Sequence, residues 1–363
     1  MRLLFWASAL TIGYVYVGYP LLLAVWARLF GREEREDQGR FLPGVSIVLA
    51  ARNEAHRLAA RIENLLALDY PADRRQIIVV SDGSTDRTLD ALAVFGGLID
   101  IVVVPFGGKA LALNAGVARA SHPILVFTDA RQTFATDALQ ALVAPLRDET
   151  VAGVTGALLF DCDPAASTIA DGVSVYWKYE TQLRRLESTL TSTLGATGAI
   201  YALRRLLWRD LPADTILDDV LAPMRAVLAG QRIVYEERAK AYDRTPADSH
   251  AESRRKIRTL AGNVQILWLE PRLLIPFINP VWFQYYSHKI GRLVVPYAML
   301  SLFFANIALA GENPFYAAAL AGQCVFYLLA GYGAYLEWRV DTRALSAATQ
   351  PVAADLSKGV VNA

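Results

Sequence analysis

Three acids far apart in the sequence stand where apolar runs end, and acids so placed can hold a polar ligand. Asp82 closes the run Ile77-Ile78-Val79-Val80-Ser81 and leads into Gly83-Ser84-Thr85-Asp86. Asp129 closes Ile124-Leu125-Val126-Phe127-Thr128, and Arg52 and Glu54 follow Val45-Ser46-Ile47-Val48-Leu49-Ala50. An apolar run ending at a carboxylate and a turn reads as a buried parallel strand that delivers an acid to its carboxyl end, where open α/β sheets bind ligands. The competing reading is a turn with an N-cap, because Ser, Asp, Gly and Thr dominate both. Glu54, Asp82 and Asp129 at successive strand ends favour one shared crevice.

The elements that position these groups alternate. Val45–Ala50, Ile77–Val80, Ile101–Val104 and Ile124–Phe127 read as strands, and Asn53–Leu68, Thr85–Phe95 and Lys109–Ala120 as helices with apolar residues at helical spacing. Ser84 or Thr85 is expected to cap the second helix. A βαβαβαβ series implies a mostly parallel sheet covered by helices, here within residues 41–270.

The chain has 363 residues, 54% of them hydrophobic, with the excess at the two ends. Leu3 to Phe30 carries one charge, Arg28, and is long enough to cross a hydrocarbon core of about 30 Å. Leu293–Ala310 and Pro314–Leu336 are two further apolar runs. The expected organisation is a transmembrane helix over 1–30, an interfacial helix over 271–290 carrying Trp282, Tyr285 and Tyr286 with Phe277 and Phe283, and two transmembrane helices over 291–338. Arg28, Arg32, Arg35, Arg272, Lys289, Arg292, Arg339 and Arg343 flank these runs, which places the middle of the chain and its C-terminus in the cytosol by the positive-inside rule. The tail over 344–363 is expected to be disordered. A net charge of +1 leaves no basic surplus for a nucleic-acid partner. Cys162 and Cys324 lie too far apart in kind of segment to form a disulfide or metal framework, and the four histidines lack metal-ligand spacing.

Ala50-Ala51-Arg52-Asn53-Glu54, Val80-Ser81-Asp82-Gly83-Ser84-Thr85-Asp86, Gly107-Gly108-Lys109-Ala110-Leu111-Ala112-Leu113-Asn114 and Thr128-Asp129-Ala130 occur in the order and spacing of the family 2 glycosyltransferases. The chain resembles that inverting group, which includes cellulose, chitin, hyaluronan and poly-N-acetylglucosamine synthases. The resemblance implies an α/β GT-A (Rossmann-like) fold, with a mostly parallel mixed sheet flanked by helices and transmembrane helices at both ends. It also implies that Arg52, Glu54, Asp82, Lys109, Asn114, Asp129 and Arg131 bind a nucleotide-diphosphate sugar. A carboxylate suits this because it accepts hydrogen bonds from base N–H groups and sugar hydroxyls, and an ammonium helps neutralise a diphosphate; a lysine at a helix start is also often only solvated. Where the family has Asp-X-Asp for Mg²⁺ or Mn²⁺, this chain has Asp129-Ala130-Arg131, so one oxygen ligand is replaced by a fixed cation. Arg131 then either contacts the diphosphate or points away while Asp129 alone remains for an ion.

The later half resembles the family's acceptor side. Gly195-Ala196-Thr197-Gly198 looks like its acceptor loop, with Gly195, Thr197 and Gly198 the implied contacts, although an ordinary loop into a strand has the same composition. Ile216-Leu217-Asp218-Asp219-Val220 looks like its acidic motif, with Asp219 the implied general base and Asp218 a neighbour able to raise its pKa. The same pair could cap a helix over Val220–Leu228. Arg255-Lys256-Ile257-Arg258-Thr259 stands where processive members have Gln-X-X-Arg-Trp, which implies Arg255 and Arg258 at the leaving diphosphate. Thr259 replaces the tryptophan that packs on a growing chain. The expectation is therefore a multi-pass enzyme of a bacterial inner membrane, its catalytic domain cytosolic, moving a sugar from a UDP-sugar to a lipid-linked or glycan acceptor. The alternatives are a processive polysaccharide synthase acting with a partner membrane subunit, and an inactive nucleotide-sugar-binding subunit.

Overall fold

The computed structural model describes residues 1–32, 40–161, 168–244 and 249–348. They form two compact units, a larger one from Thr11–Thr245 and Lys256–Pro296 and a smaller one from Met1–Leu10, Pro246–Arg255 and Tyr297–Ala363. Cys162 lies outside the described residues.

In the larger unit the elements run β1 (Val45–Ala51), α1 (Ala55–Leu66), β2 (Arg75–Asp82), α2 (Thr88–Ala93), β3 (Asp100–Val104), α3 (Lys109–Arg119), β4 (Ile124–Thr128), β5 (Thr133–Phe134) and α4 (Ala138–Val143). They continue with β6 (Val151–Asp161), α5 (Thr168–Leu190), β7 (Tyr201–Arg204), α6 (Asp218–Leu228), β8 (Arg232–Arg244) and α7 (Ser249–Leu269), whose first turns belong to the smaller unit. The sheet order is β3-β2-β1-β4-β7-β6-β8-β5. Its first four strands pair in parallel, as the alternation of strand and helix requires. Ile47 and Leu49 enter one apolar core with Leu58, Ile62 and Leu65 of α1, while Val48 enters another with Leu113 and Val117 of α3. Burial on both faces is why these strands read as unbroken apolar runs.

Beyond β4 the sheet is mixed: β7 runs antiparallel to both of its neighbours while β6 and β8 pair in parallel, and the reversal at β7 places the site. β7 pairs antiparallel with β4, Phe127 opposite Tyr201 and Ile124 opposite Arg204. The start of β7 therefore meets the end of β4, so the loop before β7 opens on the same edge as Asp129. A parallel β7 would have put that loop at the far edge.

Four sequence expectations are corrected. α2 begins at Thr88, not Thr85, with no side-chain cap, because Ser84 and Thr85 are bonded to Asn53 instead. Asp218 and Asp219 form the first turn of α6 itself, after Leu217. Residues 271–290 are not one interfacial helix: a 3₁₀ turn at Pro271–Leu274 and an irregular stretch precede Trp282, from which the chain is helical to Leu309. Pro276 and Pro280 lack an N–H and disfavour helix before them. Residues 344–348 of the expected disordered tail close the helix Pro314–Ala348, where Ala344, Ala347 and Ala348 have high helix propensity; 349–363 lie outside the described residues.

Arg2–Phe30, Trp282–Leu309 and Pro314–Leu336 are long and apolar enough to cross a membrane. Within the smaller unit Phe5 packs with Ala305, Leu309 and Tyr316, and Arg2 pairs with Glu312 at 2.6 Å.

Gly116 lets α3 approach the sheet closely. A Cβ there would come within 2.5 Å of Val48 Cγ1 and 3.0 Å of Val80 Cγ2. Gly116→Ala gains helix propensity of about 1 kcal/mol but overpacks a filled core at a cost of about 1–3 kcal/mol. A net loss of stability is expected, read as a lower midpoint of thermal unfolding.

Candidate active site

The site assembles at the carboxyl ends of β1, β2 and β4. Asp82, buried at the end of β2, accepts N–H bonds from Gly107 at 2.8 Å and from Gly108 at 3.0 Å. Gly108 has φ +90°, which suits glycine, and is followed by the first residue of α3, Lys109. Lys109 Nζ lies 3.0 Å from Asp129 Oδ1 and 3.3 Å from Asp218 Oδ1. Asp82 thus anchors the turn that aims Lys109 between two carboxylates. The Arg52 guanidinium stacks over Phe106, 3.8 Å from the ring centroid, immediately before that turn.

Asn53 holds the rim together. At φ +56° its backbone N–H donates to Ser84 Oγ, and its side-chain oxygen accepts from the Thr85 N–H at 2.8 Å. Asp86 accepts from the Ala55 and Thr88 N–H groups, and its hydrogen bond with Thr88 holds its carboxyl below the usual range. Glu54 is half-buried and 3.5 Å from Arg57. The Ser-Asp-Gly-Ser-Thr-Asp segment therefore builds a turn and a site wall at once.

Asp219 is the electrostatically unusual member. Its Oδ2 accepts the Gly198 N–H at 3.0 Å, and its backbone carbonyl accepts the Ala196 N–H at 2.7 Å. Burial and the neighbouring Asp218 push its carboxyl up to about 6, against the pull of Lys109. Burial also opposes the charge on Lys109, but Asp129, Asp218 and Asp219 outweigh it and raise the ammonium above the usual lysine range. Asp218 Oδ2 is buried without a hydrogen-bond partner, as is the Tyr201 hydroxyl beneath the cluster. Burial and the three carboxylates raise the Tyr201 phenol well above its ordinary range, so it is neutral.

The other expected residues take different places. Arg131 turns to Asp243 of β8, with Nη2 at 2.8 Å and Nε at 3.1 Å from Oδ2, and Gln132 joins the same oxygen at 2.9 Å. Asn114 is bonded at both ends of its amide to the Leu211 backbone, at 2.9 Å each, and braces α3 rather than facing the cluster. Gly195 has φ +132°, and Thr197 accepts a hydrogen bond from Arg184. Arg255 and Arg258 lie on α7; the Arg258 side chain is exposed and makes no hydrogen bond among the described residues. The described residues hold no group of three or more His, Cys, Asp or Glu side chains able to hold a metal ion. With Arg131 committed to Asp243 and Lys109 on Asp129, the residues present do not form an ion site of their own.

Arg61 was missed from the sequence although a signal existed. It interrupts the apolar face Leu58, Ile62, Leu65 of α1, is 2% exposed, and donates to Thr128 Oγ1 at 2.7 Å beside Asp129. Burial lowers its guanidinium to about 9, with Asp129 opposing the shift.

Because Asp219 titrates higher in the fold than in the unfolded chain, its charge opposes folding. That cost is absent below the unfolded value of 3.8, grows between there and about 6, and is fully present above. Asp219→Asn is expected to raise the melting temperature at pH 7.5 and leave it nearly unchanged at pH 3.5, as measured by a thermal scan at each pH.

Comparisons with known proteins agree with this fold. Residues 46–207 match the model described as Glycosyl transferase family 2. The poly-beta-1,6-N-acetyl-D-glucosamine synthase of Staphylococcus aureus is 25% identical over 241 residues, 62% of this chain and 56% of that protein. The probable glycosyltransferase YdaM of Bacillus subtilis is 27% identical over 244 residues, with the same two shares. The match thus spans little more than half the length of these relatives. A mannosyltransferase from Pyrobaculum calidifontis, solved in complex with GDP-Man and Mn²⁺, superposes with a TM-score of 0.69 at 25% identity, covering 90% of this chain and 94% of its own. The chain therefore carries a glycosyl transferase family 2 domain on a GT-A-like fold.

Proposed function

We propose that this protein is a membrane-bound inverting glycosyltransferase that uses a nucleotide-diphosphate sugar, with UDP as the nucleotide. The observation that carries the reading is Asp219, a carboxyl raised to about 6 and held by the Gly198 N–H beside the Lys109–Asp129–Asp218 cluster. A carboxylate of that basicity is suited to take a proton from an acceptor hydroxyl near neutral pH. As Asp219 takes the proton, the acceptor oxygen attacks the anomeric carbon, and the bond from that carbon to the diphosphate breaks with its electron pair leaving on oxygen. Attack opposite the leaving group inverts the centre. Arg52, Glu54, Asp82 and Asp129 line the nucleotide side, and Lys109 offers the fixed positive charge for the departing diphosphate.

The acceptor is membrane-borne in this reading. Three helices have membrane-crossing length, and the basic residues flanking them favour a cytosolic domain. Ile257, Leu260, Val264 and Trp268 form an exposed apolar stripe on α7. Phe277 is fully exposed at φ +68°, five residues before the second apolar helix. A bare phenyl ring is unfavourable in water, which favours a lipid surface around it. The Staphylococcus aureus relative supports a second reading, a processive polymer synthase with a partner subunit; Thr259, in place of a stacking tryptophan, counts against it.

The test incubates membranes bearing the full chain with radiolabelled UDP-sugars and GDP-mannose, with and without Mn²⁺, and follows label into lipid or polymer. Transfer into lipid with an acid limb near pH 6 is expected, and Asp219→Asn is expected to slow it by at least about 10²-fold while donor KM changes little. Transfer that survives Asp219→Asn, or label that stays in water-soluble product, removes the proposal.

A further inference from the structure

The loop that holds Asp219 is itself held from α5. Arg184 Nη1 donates to Thr197 Oγ1, and the Thr197 N–H donates to Thr155 Oγ1 of β6 at 2.8 Å. The residues on either side of Thr197, Ala196 and Gly198, give the two N–H bonds that Asp219 accepts. Gly198 is so close that a Cβ there would lie 3.1 Å from Asp219 Oδ2. The height of this loop therefore sets the carboxylate.

Arg184 is fixed in turn by a buried ionic network. Its Nε lies 3.9 Å from Glu180 Oε1, one turn earlier on α5, and its guanidinium stands 5.5 Å from the Trp177 ring centroid. Glu180 pairs with Arg292 at 2.7 Å and lies 3.5 Å from His288 Nε2, both from the start of the second apolar helix. His288 Nδ1 is 2.7 Å from Glu187 Oε1, which also accepts the Tyr19 hydroxyl of the first apolar helix at 2.9 Å. Burial would raise the Glu180 carboxyl, but His288, Arg292 and Arg184 outweigh it and hold it well below the usual range. It stays charged.

We infer that Arg184 is a positioning residue for Asp219: anchored by Glu180 to the second apolar helix, it fixes the 195–198 loop so that the Gly198 N–H stays on the carboxylate. This rests on Asp219 being the working base, and it adds how that base is held. The groups facing Asp219 are Asp218 on its own helix, Lys109 at the start of α3, Asp129 after β4 and Tyr201 of β7, together with the Gly198 N–H. Only the last depends on Arg184. That N–H favours the ionised form, so losing it raises the carboxyl further.

The test reads Asp219 without any donor. Melting temperatures of the full chain in detergent are measured from pH 4.5 to 8 with and without Asp219→Asn; the difference grows as pH rises and levels off around the folded-state midpoint of Asp219, which it thereby gives, near 6 in the parent. In an Arg184→Gln background the midpoint is expected to rise by about half a unit or more. Thr197→Val, which removes the accepting hydroxyl and no charge, is expected to give the same rise, and the two together no further one. A merely structural role would lower every melting temperature and leave the midpoint in place, and that result in both variants overturns the inference. Thr197→Val decides the matter if Arg184→Gln does not fold. Transfer that survives Asp219→Asn would instead remove the base reading, and the midpoints would still stand or fall on their own.

Discussion

Lys109 holds together a cluster that electrostatics would otherwise drive apart, since Asp129, Asp218 and Asp219 carry like charges and the ammonium reaches the first two directly. The balance is incomplete: the Lys109 ammonium faces three acids, and the carboxyl of Asp219, which it does not reach directly, rises to about 6. A stronger claim by Lys109 on Asp219 would pull that value down and weaken its basicity. An absent Lys109 would leave the buried Asp218 beside two like charges without that cation. The turn that aims Lys109 is correspondingly over-determined. Asp82 accepts hydrogen bonds from the two glycine N–H groups that precede Lys109.

The sheet explains why such distant residues meet. Parallel β1, β2 and β4 bring Arg52, Asp82 and Asp129 to one edge, which is the usual ligand edge of an open α/β sheet. Antiparallel β7 then brings the 195–198 loop to that edge, and α6 begins against that loop with Asp218 and Asp219 in its first turn. Acids in a first turn are favoured by the helix dipole, which partly offsets their crowding.

How much of this could be read from sequence depended on whether a residue's partner was local. Asp82 and Asp129 were legible because an apolar run ending at an acid already describes a strand end. The parallel half of the sheet was legible for the same reason. Asn114 was not, because the residue type that suits a ligand amide equally suits the Leu211 backbone 97 positions away. Arg61 and Arg184 were hidden by being ordinary helix residues whose significance lies in Thr128 and Thr197. The start of α2 was missed because Ser84 and Thr85 have two possible employers, the helix behind them and Asn53 opposite, and the opposite one wins.

Arg131 shows most clearly why a substitution in a motif cannot be read alone. In isolation it is a cation placed where an ion ligand is expected. In the fold it is half of a pair with Asp243, whose side chain is 1% exposed and also takes the Gln132 amide. Removing Arg131 takes a charged partner from a buried carboxylate, which is destabilising. Arg131 is therefore directed to β8 rather than to the site edge. The positive charge near the proposed leaving group then falls to Lys109, and the loss of the second motif acid is matched on β8 by a buried carboxylate that pairs with the cation at position 131.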